Sequence, residues 1–179
     1  SKKCRNYCMP MKNIYFVGFM ATGKTAVGKA LARRLGRRFI DLDDVIEKKE
    51  KMKIVDIFAQ KGEPYFRTVE KSAVKEIATQ HDQIVACGGG VVIDPENVAT
   101  LKKSGVIICL EADCDTIVAR SAGTAERPLL NVDNPRERVM ELLKKRAVFY
   151  KQADHTIDTT KLGVNAVVDR IITITKING

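Results

Sequence analysis

The stretch NIYFVGFMATGKTAVGKALARRLG, residues 13–36, decides the fold. Its opening, Asn13 to Val17, is short, apolar and ended by Gly18, the pattern of a strand buried on both faces. From Lys24 the spacing turns helical: Val27, Ala30, Leu31 and Leu35 recur on one side, and Gly36 is placed to stop the helix. Between strand and helix, Gly18, Gly23, Lys24 and Thr25 satisfy G-x-x-x-x-G-K-[ST] in the setting that pattern requires. Backbone N–H groups of such a loop wrap a phosphate, and the helix start adds positive dipole. The lysine reaches the outer phosphates, and the threonine offers a hydroxyl to magnesium. The expected anion is therefore a nucleoside triphosphate. A bland glycine turn carrying a solvated lysine leaves both glycines and the apolar strand unexplained.

Outward from this loop, RFIDLD (38–43) reads as a second strand followed by a helix from about Val45. Helical stretches follow from about Ile54 and from about Glu63 to Ala78. QIVACGGG (83–90), GVIICLEA (105–112) and the weaker HTIDT (155–159) supply further strands, and a helix over 164–174 closes the chain. Strands alternating with helices predict an α/β protein whose parallel sheet is covered on both faces. One segment interrupts the rhythm: SAGTAERPLLNVDNPRER (121–138) has Gly123, Pro128 and Pro135 but few core residues. A long polar loop inside a compact domain is more often functional than idle.

A chain of 179 residues fits one domain, read here as residues 11–179 behind a flexible extension or expression remnant at 1–10. The 31 Lys and Arg against 22 Asp and Glu, net +9, favour anionic partners without choosing among them. Nucleic acid is disfavoured, because the ten Phe and Tyr form no series along a basic stripe. No apolar stretch approaches the length that spans a bilayer, so no membrane role is expected. Cys4, Cys8, Cys87, Cys109 and Cys114 match neither a redox pair nor a zinc knuckle, so free thiols in a reducing, cytoplasmic setting are expected. His81 and His155 are expected at the surface.

Several residues carry candidate chemistry. Asp41 and Asp43, two apart on a predicted strand, share a face beside the phosphate loop, where one serves a metal's water shell and the other an acceptor hydroxyl. The alternative is a helix cap served by Asp43 or Asp44, of which Asp44 is the better placed. Arg67, with Glu63 before it and Glu70 after it, reads on its own as half of a surface ion pair of little energy. Gly88, Gly89 and Gly90 suit a place where a ligand approaches the main chain, against the alternative of a strand-end turn. Arg120 and Arg127 flank a segment able to close over phosphates. Arg146, beside Phe149 and Tyr150, suits two-point grip of a carboxylate.

In combination these pieces resemble the shikimate kinases. The resemblance rests on GFMATGKTAVGKALARRLG, FIDLDDVIE, IFAQKGEPYFRTVE, IVACGGGVV, RPLL and KRAVFYKQAD, in the family's order from about Asn13 to Ile172. It implies a three-layer P-loop kinase fold, with a five-stranded parallel sheet in the order 2-3-1-4-5 and a mobile lid at about 121–136. It implies transfer of phosphate from ATP to the 3-hydroxyl of shikimate, with magnesium, on the route to chorismate and the aromatic amino acids, by a cytoplasmic monomer. Carried over residue by residue, Gly18, Ala21, Thr22, Gly23, Lys24, Thr25 and Ala26 hold ATP, with Arg120 near adenine and Arg127 on its phosphates. Thr25 and Asp41 belong to the metal. Asp43, Arg67, Gly88, Gly89, Gly90 and Arg146 surround shikimate, and Asp43, Lys24 and Arg127 are the catalytic set. The family often has glycine where this chain has Ala21. A gluconate-kinase-like enzyme of the same fold and a non-catalytic ATP-binding relative are the alternatives.

Overall fold

The computed structural model describes residues 11–122 and 132–177. The strands β1 (Asn13–Val17), β2 (Arg38–Asp41), β3 (Gln83–Ala86), β4 (Gly105–Glu111) and β5 (His155–Asp158) form one parallel sheet in the order β2-β3-β1-β4-β5. This is the expected order, and β1 at its centre is buried at every position. Alternation along β1 sends Ile14 and Phe16 to one face and Tyr15 and Val17 to the other. On the first face they meet α1 (Lys24–Leu35) and α7 (Val164–Thr175) through Val27, Leu31, Val167 and Ile171. On the second they meet α2 (Leu42–Glu50), α3 (Ile54–Ala78), α4 (Pro95–Ser104), α5 (Cys114–Ser121) and α6 (Pro135–Tyr150). Each large side chain so enclosed contributes roughly 1.5–3 kcal/mol.

Several helix starts are fixed by short polar side chains that accept a hydrogen bond from the first turn: Asp94 for α4, Asp113 for α5 and Asn134 for α6. Pro95 and Pro135 sit just inside two of these starts, where a missing N–H costs nothing. The two helical stretches expected from Ile54 and from Glu63 are the two halves of α3, separated at Gly62. With φ 82° and ψ 167°, that residue adopts a conformation essentially closed to side chains, and Pro64 starts the second half.

Four features depart from the sequence reading. Strand β2 ends at Asp41 and α2 begins at Leu42, so the strand is two residues shorter and the helix starts earlier than expected. The interrupted segment is trimmed by regular structure: α5 runs through Ser121 and α6 starts at Pro135. Helices α4 and α5 form in stretches to which the sequence reading gives no element. His155 is half-buried in β5 rather than fully at the surface, whereas His81 is exposed. No helix among the described residues is long and apolar enough to cross a membrane.

Candidate active site

The register brings the carboxyl ends of β1, β2 and β3 level, since Ala86 pairs with Phe16 on one side and Asp41 on the other. Loops leaving that edge make the site, as in other open parallel sheets. The first is the phosphate loop. Gly18 has φ 135°, and a methyl group there would lie 2.2 Å from the carbonyl oxygen of Leu110, so only glycine fits. Lys24 Nζ donates to the carbonyls of Gly18 and Phe19 at 2.7 and 2.8 Å, and Thr22 Oγ1 donates to Phe19 at 2.8 Å. Ala21 adopts φ 59°, so the loop keeps a left-handed turn despite the methyl group, at a cost of about 1–2 kcal/mol. Helix α1 starts after Gly23, which has no side chain to cap it, and Thr25 and Ala26 lie exposed in its first turn.

The two aspartates are arranged differently from the shared strand face expected of them. Asp41 ends β2 and is itself the cap of α2, its Oδ1 accepting the N–H of Asp43 at 3.0 Å, while Asp43 sits in the helix's first turn. Capping therefore falls to Asp41 rather than Asp44. Thr25 Oγ1 lies 3.3 Å from the other oxygen, Asp41 Oδ2. Burial first, and then the charge of Asp41, push the Asp43 carboxyl up to about 6 against the pull of Lys24. Asp41 is also raised, chiefly by burial.

The glycine run joins these groups to the two arginines. None of Gly88, Gly89 and Gly90 has a positive φ, so what they supply is space. A methyl group at Gly88 would come 3.1 Å from Asp43 Oδ1, one at Gly89 3.2 Å from Arg146 Nη1, and one at Gly90 2.5 Å from Arg67 Nη2. The Arg67 pair is not a surface pair. Its Nη1 donates at 2.8 Å to Glu70, whose side chain is 2% exposed, and Nη2 reaches Glu63 at 3.3 Å. Burial raises the Glu70 carboxyl, opposed by Arg67. Arg146 lies with its guanidinium 5.7 Å from the ring centre of Phe19, in the phosphate loop. Tyr150, one turn later, donates to the carbonyl of Gly89 at 2.8 Å. Asp43, Arg146 and Arg67 thus each approach a different one of three consecutive glycines, and Arg146 also lies beside the loop.

A family model described as shikimate kinase matches residues 20–176. The chain belongs to the shikimate kinase family. It is 49% identical over 162 residues to the shikimate kinase of Thermodesulfovibrio yellowstonii, covering 90% of this chain and 94% of that one, and 46% identical to that of Thermoanaerobacter pseudethanolicus, covering 90% and 95%. Among solved structures, the shikimate kinase of Acinetobacter baumannii in complex with shikimate superposes with a TM-score of 0.88 at 35% identity, covering 93% of each chain. The Aquifex aeolicus shikimate kinase superposes at 0.80 and 29% identity, covering 92% of this chain and 96% of that one.

Within this shikimate kinase architecture, Arg120 extends from α5 to the phosphate loop, donating to the carbonyl of Ala21 at 3.1 Å and to that of Thr159 at 3.0 Å. Arg127, assigned to the lid, lies outside the described residues, as do Cys4 and Cys8; Cys87, Cys109 and Cys114 are free thiols. Sequence reasoning missed the parts of Glu70, Phe19 and Tyr150. Glu70 stood three residues from Arg67 but its burial was not legible. Phe19 does carry a sequence signal, a large apolar residue inside a phosphate loop.

Proposed function

We propose that this chain transfers the terminal phosphoryl group of ATP to the 3-hydroxyl of shikimate, giving shikimate 3-phosphate and ADP for chorismate and aromatic amino-acid biosynthesis. The observation that carries this reading is the run Gly88–Gly90, each residue of which faces a different one of Asp43, Arg146 and Arg67. An acceptor whose carboxylate lies between the two guanidiniums is gripped at two points and presents its ring hydroxyls to Asp43. A carboxyl group near 6 is mostly ionised at neutral pH, yet basic enough to take the hydroxyl proton as the oxygen bonds to phosphorus. The γ-phosphoryl group leaves ADP in the same step. Phosphoryl transfer asks for positioning and charge neutralisation, supplied here by the loop from Gly18 to Ala26, by Lys24 and by Arg127. Arg120 is assigned to the adenine end of the nucleotide.

Thr25 and Asp41 fit magnesium: two hard oxygens 3.3 Å apart, next to the place of the phosphates. Magnesium usually completes its shell with phosphate and water oxygens, so two protein oxygens suffice. When bound, the ion neutralises phosphate charge. A reducing, cytoplasmic setting is part of this proposal, as is a single monomeric unit over residues 11–179. The test is ADP release with shikimate, gluconate and other hydroxy acids, with and without magnesium. Release that depends on shikimate and on magnesium is expected; a preference for gluconate, or release indifferent to the acceptor, overturns the assignment.

A further inference from the structure

We propose that Thr159 is a positioning residue for the nucleotide, whose hydroxyl works with Arg120 to hold Ala21 and Thr22 in the left-handed turn of the phosphate loop. The proposal rests on reading that loop as the nucleotide site. Thr159 follows β5 directly and is 3% exposed. Its Oγ1 lies 2.9 Å from the carbonyl of Thr22 and 3.0 Å from that of Glu111; the Glu111 carbonyl already accepts the Thr159 N–H, so the single hydroxyl proton is assigned to Thr22. The same oxygen accepts from Arg120 Nη1 at 3.2 Å. That Nη1 also donates to the carbonyl of Ala21 at 3.1 Å, while Nη2 donates to the carbonyl of Thr159 at 3.0 Å. Two consecutive loop carbonyls are thereby gripped by two side chains from elements distant in sequence. The Thr159 main chain is itself anchored, its N–H donating to Glu111 at 2.8 Å.

Peptide geometry gives this grip its consequence. In a trans peptide the carbonyl and the following N–H point in opposite directions. Fixing the carbonyls of Ala21 and Thr22 therefore fixes the direction of the N–H groups of Thr22 and Gly23, which are donors of the kind a phosphate loop aims at its anion. External support matters here because Ala21, at φ 59°, has no polar side chain with which to stabilise its own left-handed turn.

The experiment measures ADP binding to the full chain by calorimetry, beside shikimate binding and steady-state kinetics. Thr159→Val and Thr159→Ala are expected to weaken ADP binding about tenfold and to raise KM for ATP alike, the scale of one lost hydrogen bond and its strained neighbours. Shikimate binding and kcat should stay within about twofold, and Thr159→Ser should restore ADP binding. In an Ala21→Gly background, where the left-handed turn is intrinsically accessible, the loss from Thr159→Val should shrink to about threefold or less. Unchanged ADP affinity in both variants overturns the proposal, as does an equal loss of shikimate and ADP binding, a failed serine rescue, or strictly additive effects with Ala21→Gly. If Thr159→Val does not fold, the alanine and serine variants decide. An enzyme that binds ADP but releases none in the presence of shikimate refutes the functional reading and leaves this test intact.

Discussion

In the proposed reaction the donor side is one unbroken run, Gly18–Thr25, that offers a phosphate its main chain and a single lysine. The acceptor side is assembled from separated segments, with Asp43 from α2, Arg67 from α3, the glycines after β3 and Arg146 from α6, and it offers side chains. The first depends on backbone conformation and the second on long-range packing. Substitutions should therefore act differently on the two sides: on the acceptor side they remove charges or displace them, and on the donor side they adjust a turn.

The largest effect expected is that of Asp43→Asn, which should lower turnover by about 10²- to 10⁴-fold with little change in KM. In the parent enzyme kcat/KM for shikimate should fall about tenfold per pH unit below about 6, as the carboxylate takes up a proton. The same substitution should raise stability. The Asp43 carboxyl is held above its unfolded value of 3.8, so the fold loses stability as pH climbs from about 4 through 6. The asparagine variant should then be more stable than the parent at pH 7, by on the order of 1–3 kcal/mol, with the advantage gone below pH 4. Thermal melts across pH check the sign. Near-normal turnover would remove Asp43 from the chemistry and break the contrast.

Next in size, Arg67→Ala should raise KM for shikimate by about 10- to 100-fold, the scale of lost charge-assisted hydrogen bonds, with a smaller effect on kcat. It also strips Glu70 of its guanidinium partner. The Glu70 carboxyl then rises further, so the loss in melting temperature should be greater at pH 8 than at pH 5. Gly90→Ala sharpens the comparison, because it alters no charge. Its methyl group displaces Arg67 and should raise KM for shikimate about tenfold while ATP binding is kept. Ala21→Gly is the smallest change: relief of the left-handed turn offset by a more flexible loop, a net change of less than about 1 kcal/mol in denaturant unfolding and about twofold or less in ADP affinity.

The same contrast decides how far the sequence could be read. Strand β1, the phosphate loop and α1 follow from neighbouring residues alone, because apolar spacing and glycine placement are local signals. The order of the strands is implied by the family resemblance and not by any local pattern. Local reading failed at Asp41, where a strand end and a helix cap draw on the same residue type, and the extra residues given to β2 put Asp43 on a strand it does not occupy. It failed again at Glu70, whose burial depends on α3 packing against the sheet, and at Thr159, whose partners lie 48 and 137 residues away in the chain. Arg67 was legible as a pair but not as a partly buried one, since no pattern within α3 states what covers it.

The triple glycine has one more consequence. Three adjacent codons, 88 to 90, each answer to a different neighbour: a carboxylate, then the guanidinium of α6, then that of α3. Mutational drift along this short tract is thus constrained three times over and for unrelated reasons. Damage at the first position would register as impaired proton removal, and damage at the other two as a misplaced acceptor, so adjacent lesions would produce distinguishable enzymes.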